Sequence, residues 1–142
     1  MLMKNPSAPL VYIVDDDDAV RAALAMLVEA QGWHVRAYGS ARDFLRNRAR
    51  RPTTSCLLLD MHLPGMHGAE LTEALRRRGK TMPTVVLTAE PENPLAKRAI
   101  AAGAQTVLGK PCEPGELIAN LAETLGTPPG TQRAKPCRPG MA

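Results

Sequence analysis

Leu10-Val11-Tyr12-Ile13-Val14 runs directly into Asp15-Asp16-Asp17-Asp18. Five consecutive apolar residues, three of them β-branched, suit a strand buried on both faces, and the abrupt change to carboxylates marks where that strand leaves the core. The same junction recurs downstream. Cys56–Leu59 stops at Asp60, Thr84–Leu87 at Thr88, and Thr106–Leu108 just before Lys110, while Trp33–Tyr38 forms one further short apolar run. Amphipathic segments separate these strands. Val20, Leu24, Leu27 and Val28 make a helical stripe, with Asp18 expected as its N-cap, Asp17 as a solvated neighbour and Gly32 as its C-cap. Ser40 is placed to cap a helix holding Phe44 and Leu45. Pro64-Gly65 leads into one carrying Leu71, Ala74 and Leu75. Pro94 opens a helix with Leu95 and Ile100 inside and Gly103 at its end. Pro114 precedes the stripe Leu117, Ile118, Leu121, Leu125. Five β-α units in this order predict an α/β protein: a flavodoxin-like, doubly wound, five-stranded parallel sheet in the order 2-1-3-4-5 with five helices.

Composition narrows the function classes. The 142 residues are 44% apolar and 23% charged, room for one domain. Aromatics are 3%, too few for a base-stacking surface. No apolar run reaches bilayer length, and Met1 to Pro9 lacks the order of a signal peptide. Cys56, Cys112 and Cys137 have neither even number nor metal spacing, so a reducing, cytoplasmic setting is expected. Of the net charge of +4, three units come from Arg133, Lys135 and Arg138 in the last sixteen residues, which hold no acid. The rest is nearly neutral. The clusters Arg46, Arg48, Arg50, Arg51 and Arg76 to Arg78 fall late in predicted helices, where cations favour the dipole, and read as solvated faces. The expected organisation is an N-terminal extension at 1–9, a folded domain at 10–126 and a disordered, Pro-rich basic tail at 127–142.

In an open parallel sheet, ligands bind beyond the carboxyl ends of the strands. If the first and third strands are neighbours, Asp15 or Asp16 meets Asp60, and crowded carboxylates stay ionised only when a cation neutralises them. Oxygen ligands without cysteine or histidine suit a hard ion, Mg²⁺ or Mn²⁺. Lys110 supplies a compensating charge and Thr88 a hydroxyl. Together they make a site for a phosphoryl group, with a free carboxylate able to attack phosphorus.

With these residues in place, the chain resembles the receiver domain of two-component response regulators, closest in style to FixJ-like receivers. The matching text is Val-Asp-Asp-Asp-Asp-Ala-Val-Arg at 14–21, Leu-Leu-Leu-Asp-Met-His-Leu-Pro-Gly-Met-His-Gly at 57–68, Val-Val-Leu-Thr-Ala-Glu at 85–90 and Gly-Ala-Gln-Thr-Val-Leu-Gly-Lys-Pro at 103–111. The resemblance implies that Asp60 is the phosphoacceptor of a sensor histidine kinase. It implies that Asp15, Asp16 and Asp60, with the Met61 carbonyl, hold Mg²⁺. Thr88 and Lys110 contact the phosphoryl group, and the Lys110–Pro111 bond is cis. His62 and Glu90 occupy positions that tune phosphoryl lifetime. Val107 replaces the usual Tyr or Phe, whose ring moves with the threonine, and a valine is stiff at χ1.

Other residues have plainer expectations. His62 and His67 should face solvent, Cys112 should be a packed thiol, and Met61 and Met66 should be filler. The expected protein is a single-domain bacterial phosphorelay regulator, or a receiver whose effector is supplied by another chain. It acts through protein contacts, as a monomer or a weak dimer through its fourth helix and fifth strand, with no DNA-binding helix-turn-helix after Gly126, no membrane association and an unknown downstream effector. The alternatives are a receiver-like module that takes no phosphate, and a haloacid-dehalogenase-like phosphatase reading Asp15-x-Asp17 as its first motif.

Overall fold

Period-two alternation divides the apolar strand residues between two covering layers. The structure, a computed structural model, describes residues 7–47, 54–79 and 82–126. Residues 1–6, the arginines at 48, 50 and 51, and the segment 127–142 predicted as a disordered tail lie outside the described residues. Chain order is β1 (Leu10–Val14), α1 (Asp18–Glu29), β2 (His34–Tyr38), α2 (Ala41–Asn47), β3 (Ser55–Asp60), α3 (Gly68–Arg77), β4 (Thr84–Thr88), α4 (Pro94–Ala101), β5 (Thr106–Gly109) and α5 (Pro114–Leu125). All pairings are parallel, and the strand order is β2-β1-β3-β4-β5, as the sequence predicts.

Leu10, Tyr12 and Val14 of β1, Leu57 and Leu59 of β3 and Val86 of β4 pack against α2, α3 and α4. Val11 and Ile13, Leu58, and Val85 and Leu87 face α1 and α5. Phe44 is fully buried and meets Tyr12 and Tyr38 edge-on at centroid distances of 5.5 and 5.7 Å, gathering three of the four aromatics under α2. The predicted stripes of α3 and α5 are buried as expected. No described helix is long and apolar enough to cross a membrane.

Several boundaries move. β2 begins at His34, one residue after Trp33, which is itself buried against the α1/α5 layer. β3 and β4 continue through Asp60 and Thr88, because their backbones still pair in the ladder, Asp60 opposite Leu87 and Thr88 opposite Gly109. Asp17, not Asp18, caps α1: its carboxylate accepts the Val20 N–H at 3.0 Å, and Asp18 is the first helical residue. The α1 C-cap is Ala30, and Gly32 (φ +85°) makes the left-handed turn two residues later. Val20 lies in the first turn of α1 and is exposed rather than buried. Ile100 is 48% exposed. Ala96 and Ala99 turn their face to the sheet, and this rotation of α4 carries Ile100 outward.

Candidate functional site

The carboxyl ends of β1, β3, β4 and β5 converge on one rim. Asp15 keeps the β1–β2 ladder going through its N–H, which donates to the Tyr38 carbonyl at 3.1 Å, so its side chain is held where the sheet ends. It is only 2% exposed. One carboxylate oxygen, Oδ1, accepts the Asp17 N–H at 2.9 Å; the other, Oδ2, is buried with no hydrogen-bond partner. Burial pushes the Asp15 carboxyl above its ordinary pKa, and the nearby Asp60 and Asp16 charges add to this, while the Asp17 N–H and Lys110 work against it.

Asp60 is buried at the end of β3. Lys110 Nζ donates to its Oδ1 at 2.9 Å and lies 4.0 Å from Asp15 Oδ2. The lysine side chain is 34% exposed, so the cation closes the rim from the solvent side. Asp16 is exposed, yet one oxygen from each of Asp15, Asp16 and Asp60 falls within 4.8 Å of the others. Three hard oxygen donors match the needs of an oxygen-seeking divalent cation. Asp15 Oδ2 is the better indication, because a buried carboxylate oxygen that accepts no hydrogen bond, with its cation 4.0 Å away, is costly.

Thr88 is fully buried at the end of β4. Its hydroxyl oxygen accepts the Glu90 N–H at 3.1 Å, and its carbonyl accepts the Lys110 N–H at 2.8 Å. Thus one residue ties the β4–α4 loop to the lysine. The Lys110–Pro111 bond is cis, as expected. The Met61 carbonyl, expected to ligate metal, accepts the Gly68 N–H at 2.7 Å and so helps to close the β3–α3 loop, while its N–H continues to Leu87 of β4. Gly68 is closely packed there. A Cβ on it would lie 3.0 Å from Met61 Cα and 3.2 Å from the Asp60 carbonyl oxygen.

His62 is exposed, as expected. His67 is half-buried rather than solvent-facing: its Nδ1 accepts the Glu70 N–H at 3.2 Å and Glu70 returns the contact to the His67 N–H, a capping box that starts α3. The Glu70 three residues on was the available signal, masked because histidine is uncommon at an N-cap. Glu90 is exposed and accepts from Asn93 Nδ2 at 2.9 Å, and Asn93 caps α4. Val107 stands opposite Val86 and packs on the α2–α3–α4 layer. Cys112 packs against the other layer, and burial raises its thiol pKa, with Glu116 and Glu113 adding to the rise. Met61 is buried and Met66 packs, partly buried, against the same layer, consistent with filler. Arg21, which the sequence does not single out, reaches the Asp15 backbone.

The family model described as the response regulator receiver domain matches residues 11–122. The transcriptional regulatory protein FixJ of Azorhizobium caulinodans is 37% identical over 121 residues, covering 85% of this chain and 57% of FixJ. Response regulator protein TodT of Pseudomonas putida is 35% identical over 122 residues, 86% of this chain and 53% of TodT. Among solved structures, response regulator StyR superposes with a TM-score of 0.76 at 39% identity, covering 84% of this chain and 60% of StyR. The FixJ-N crystal structure gives 0.75 at 30% identity, covering 87% and 96%. The chain spans a little over half the length of these curated relatives.

Proposed function

This chain belongs to the response regulator receiver family, and on that footing we propose that Asp60 accepts a phosphoryl group from the phosphohistidine of a sensor histidine kinase. The observation that carries the proposal is the pairing of Lys110 with one Asp60 oxygen, 2.9 Å away, beside Asp15 Oδ2, which accepts no hydrogen bond. That pairing orients Asp60 and leaves its second oxygen to act as nucleophile. The carboxylate oxygen forms the new O–P bond as the N–P bond to the kinase imidazole breaks, and the electron pair of that bond leaves with the imidazole. Lys110 then neutralises charge on the transferred oxygens.

Asp15, Asp16 and Asp60 would hold Mg²⁺ or Mn²⁺; when bound, the ion supplies charge neutralisation for the transferring oxygens. The Met61 carbonyl has one lone pair committed to Gly68, so the three carboxylates carry the charge of this ligand set. For the Thr88 hydroxyl to turn toward a phosphoryl oxygen, it must release the Glu90 N–H, which couples the chemistry to the β4–α4 loop. His62 and Glu90 flank the site from its two loops and are assigned to tuning phosphoryl lifetime. Signalling is assigned to altered protein contacts around α4 and β5, where Ile100 offers an apolar residue to a partner or second copy.

The phosphatase alternative is set aside. Its motif needs Asp17 as a second working carboxylate, and Asp17 instead caps α1. The test is incubation with Mg²⁺ and acetyl phosphate followed by intact mass. A phosphoryl adduct on the wild type that is absent from Asp60→Asn supports the proposal. An adduct that persists on Asp60→Asn, or no adduct on either, overturns it.

A further inference from the structure

Asp15 has its N–H in the β-ladder, but the ladder ends there, and its carbonyl is taken by a side chain: Arg21 Nη1 donates to Asp15 O at 2.7 Å. The other terminal nitrogen, Nη2, pairs with the Asp18 carboxylate. The guanidinium therefore spans both ends of the acidic loop. Its side chain is 23% exposed, against 91% for Asp18. The third wall is Gly39, just past β2, where a Cβ would lie 3.3 Å from Arg21 Nη1. A methyl at 39 would press on the guanidinium, which would have to give by a few tenths of an ångström.

We infer that Arg21 is a positioning residue for the acidic site: it fixes the Asp15–Asp18 loop from behind, through backbone and cap, while leaving the ligand oxygens free. This deepens the proposed function and rests on it. The choice of contacts supports it. Arg21 holds the residue by its carbonyl and takes neither carboxylate oxygen, so Asp15 Oδ2 accepts no hydrogen bond and has Lys110 Nζ, 4.0 Å away, as its ion-pair neighbour. The planar fork of arginine reaches two acceptors at once. Lysine, a single ammonium, cannot bridge both in that geometry, so Arg21→Lys keeps the charge and loses the brace.

Two measurements test this on the whole chain. The first is calorimetric titration with Mg²⁺ of wild type, Arg21→Lys and Gly39→Ala. The second is hydrogen exchange at the Asp17 amide in metal-free protein, an amide held by Asp15 Oδ1. Arg21→Lys should weaken Mg²⁺ binding roughly tenfold, the lower end of the effect of losing an outer-shell partner, and should speed Asp17 exchange. Gly39→Ala should move both readouts in the same direction by less. A role confined to stability would lower the melting temperature of Arg21→Lys while its Mg²⁺ affinity, measured well below melting, stayed within twofold of wild type; that result overturns the inference. Wild-type protein that binds no Mg²⁺ would overturn the metal assignment first, and this inference with it.

Discussion

Around Asp15 and Asp60 the polar groups are pinned from several directions, whereas beside Thr88 and Val107 a single hydroxyl contact, from the Glu90 N–H, links the strand end to the loop that follows it. On the β1–β3 side, Asp15 is fixed by the ladder, by Arg21 and by the Asp17 N–H, and Asp60 by Lys110, with Gly68 closing in behind. On the β4–β5 side, the Thr88 hydroxyl rests on one loop amide, and that loop continues through Glu90 and Asn93 to the cap of α4. A reaction site gains from groups held in place before the reaction, while a signal needs an element with two arrangements. On the function proposed, the two fall at different places along a single sheet rim.

The largest effect is expected on the pinned side. Lys110→Ala removes the cation that pairs with Asp60 and should slow adduct formation from acetyl phosphate on the order of a hundredfold, the usual scale for losing one preorganised charge partner. A rate within a few-fold of wild type would show that Lys110 is not a contact to the transferring group. Next in size, Gly68→Ala forces a methyl against the Met61 and Asp60 backbone and should destabilise the fold by about 1–3 kcal/mol in chemical denaturation. No loss of stability would show that the β3–α3 loop yields freely, contrary to a pinned site.

Asp15→Asn probes the electrostatics of the pinned side. The amide keeps an acceptor for the Asp17 N–H and removes a buried charge, so metal-free protein at neutral pH should gain on the order of 1 kcal/mol. The sign with pH follows from the raised pKa of Asp15. The folded state takes up the proton more readily than the unfolded chain, so wild type gains stability as pH falls through the folded pKa, levelling off below the ordinary value of 3.8. The advantage of Asp15→Asn over wild type should therefore shrink in acid. An advantage that grew in acid would reverse the assignment. The smallest effect is expected on the β4–β5 side: Val107→Tyr should enlarge the change in hydrogen exchange across 88–110 on phosphorylation, because a ring adds a second element that responds to Thr88. Equal changes in both proteins would assign coupling to the loop backbone.

The strand ends were legible because each is a sharp step from apolar to polar residues, and that step survives in the structure at Asp15, Asp60, Thr88 and Lys110. What the sequence hid depends on rotation and reach. In a run of four aspartates any one can cap a helix; the path leaving β1 selected Asp17. Ile100 fits the periodicity of a buried face, but Ala96 and Ala99 set the side that α4 turns to the sheet. Arg21 and Asp18 read only as a helical pair three apart, and nothing in that spacing reveals the third contact, to the Asp15 carbonyl.

The central claim is that Asp60, and no other carboxylate of the acidic rim, takes the phosphoryl group. After reaction with acetyl phosphate and Mg²⁺, borohydride reduces an aspartyl phosphate to homoserine, and peptide mass mapping then locates the modified residue. The account predicts homoserine at position 60 and unchanged aspartates at 15, 16, 17 and 18. Homoserine at any of those four positions, or at none of the five, would contradict it.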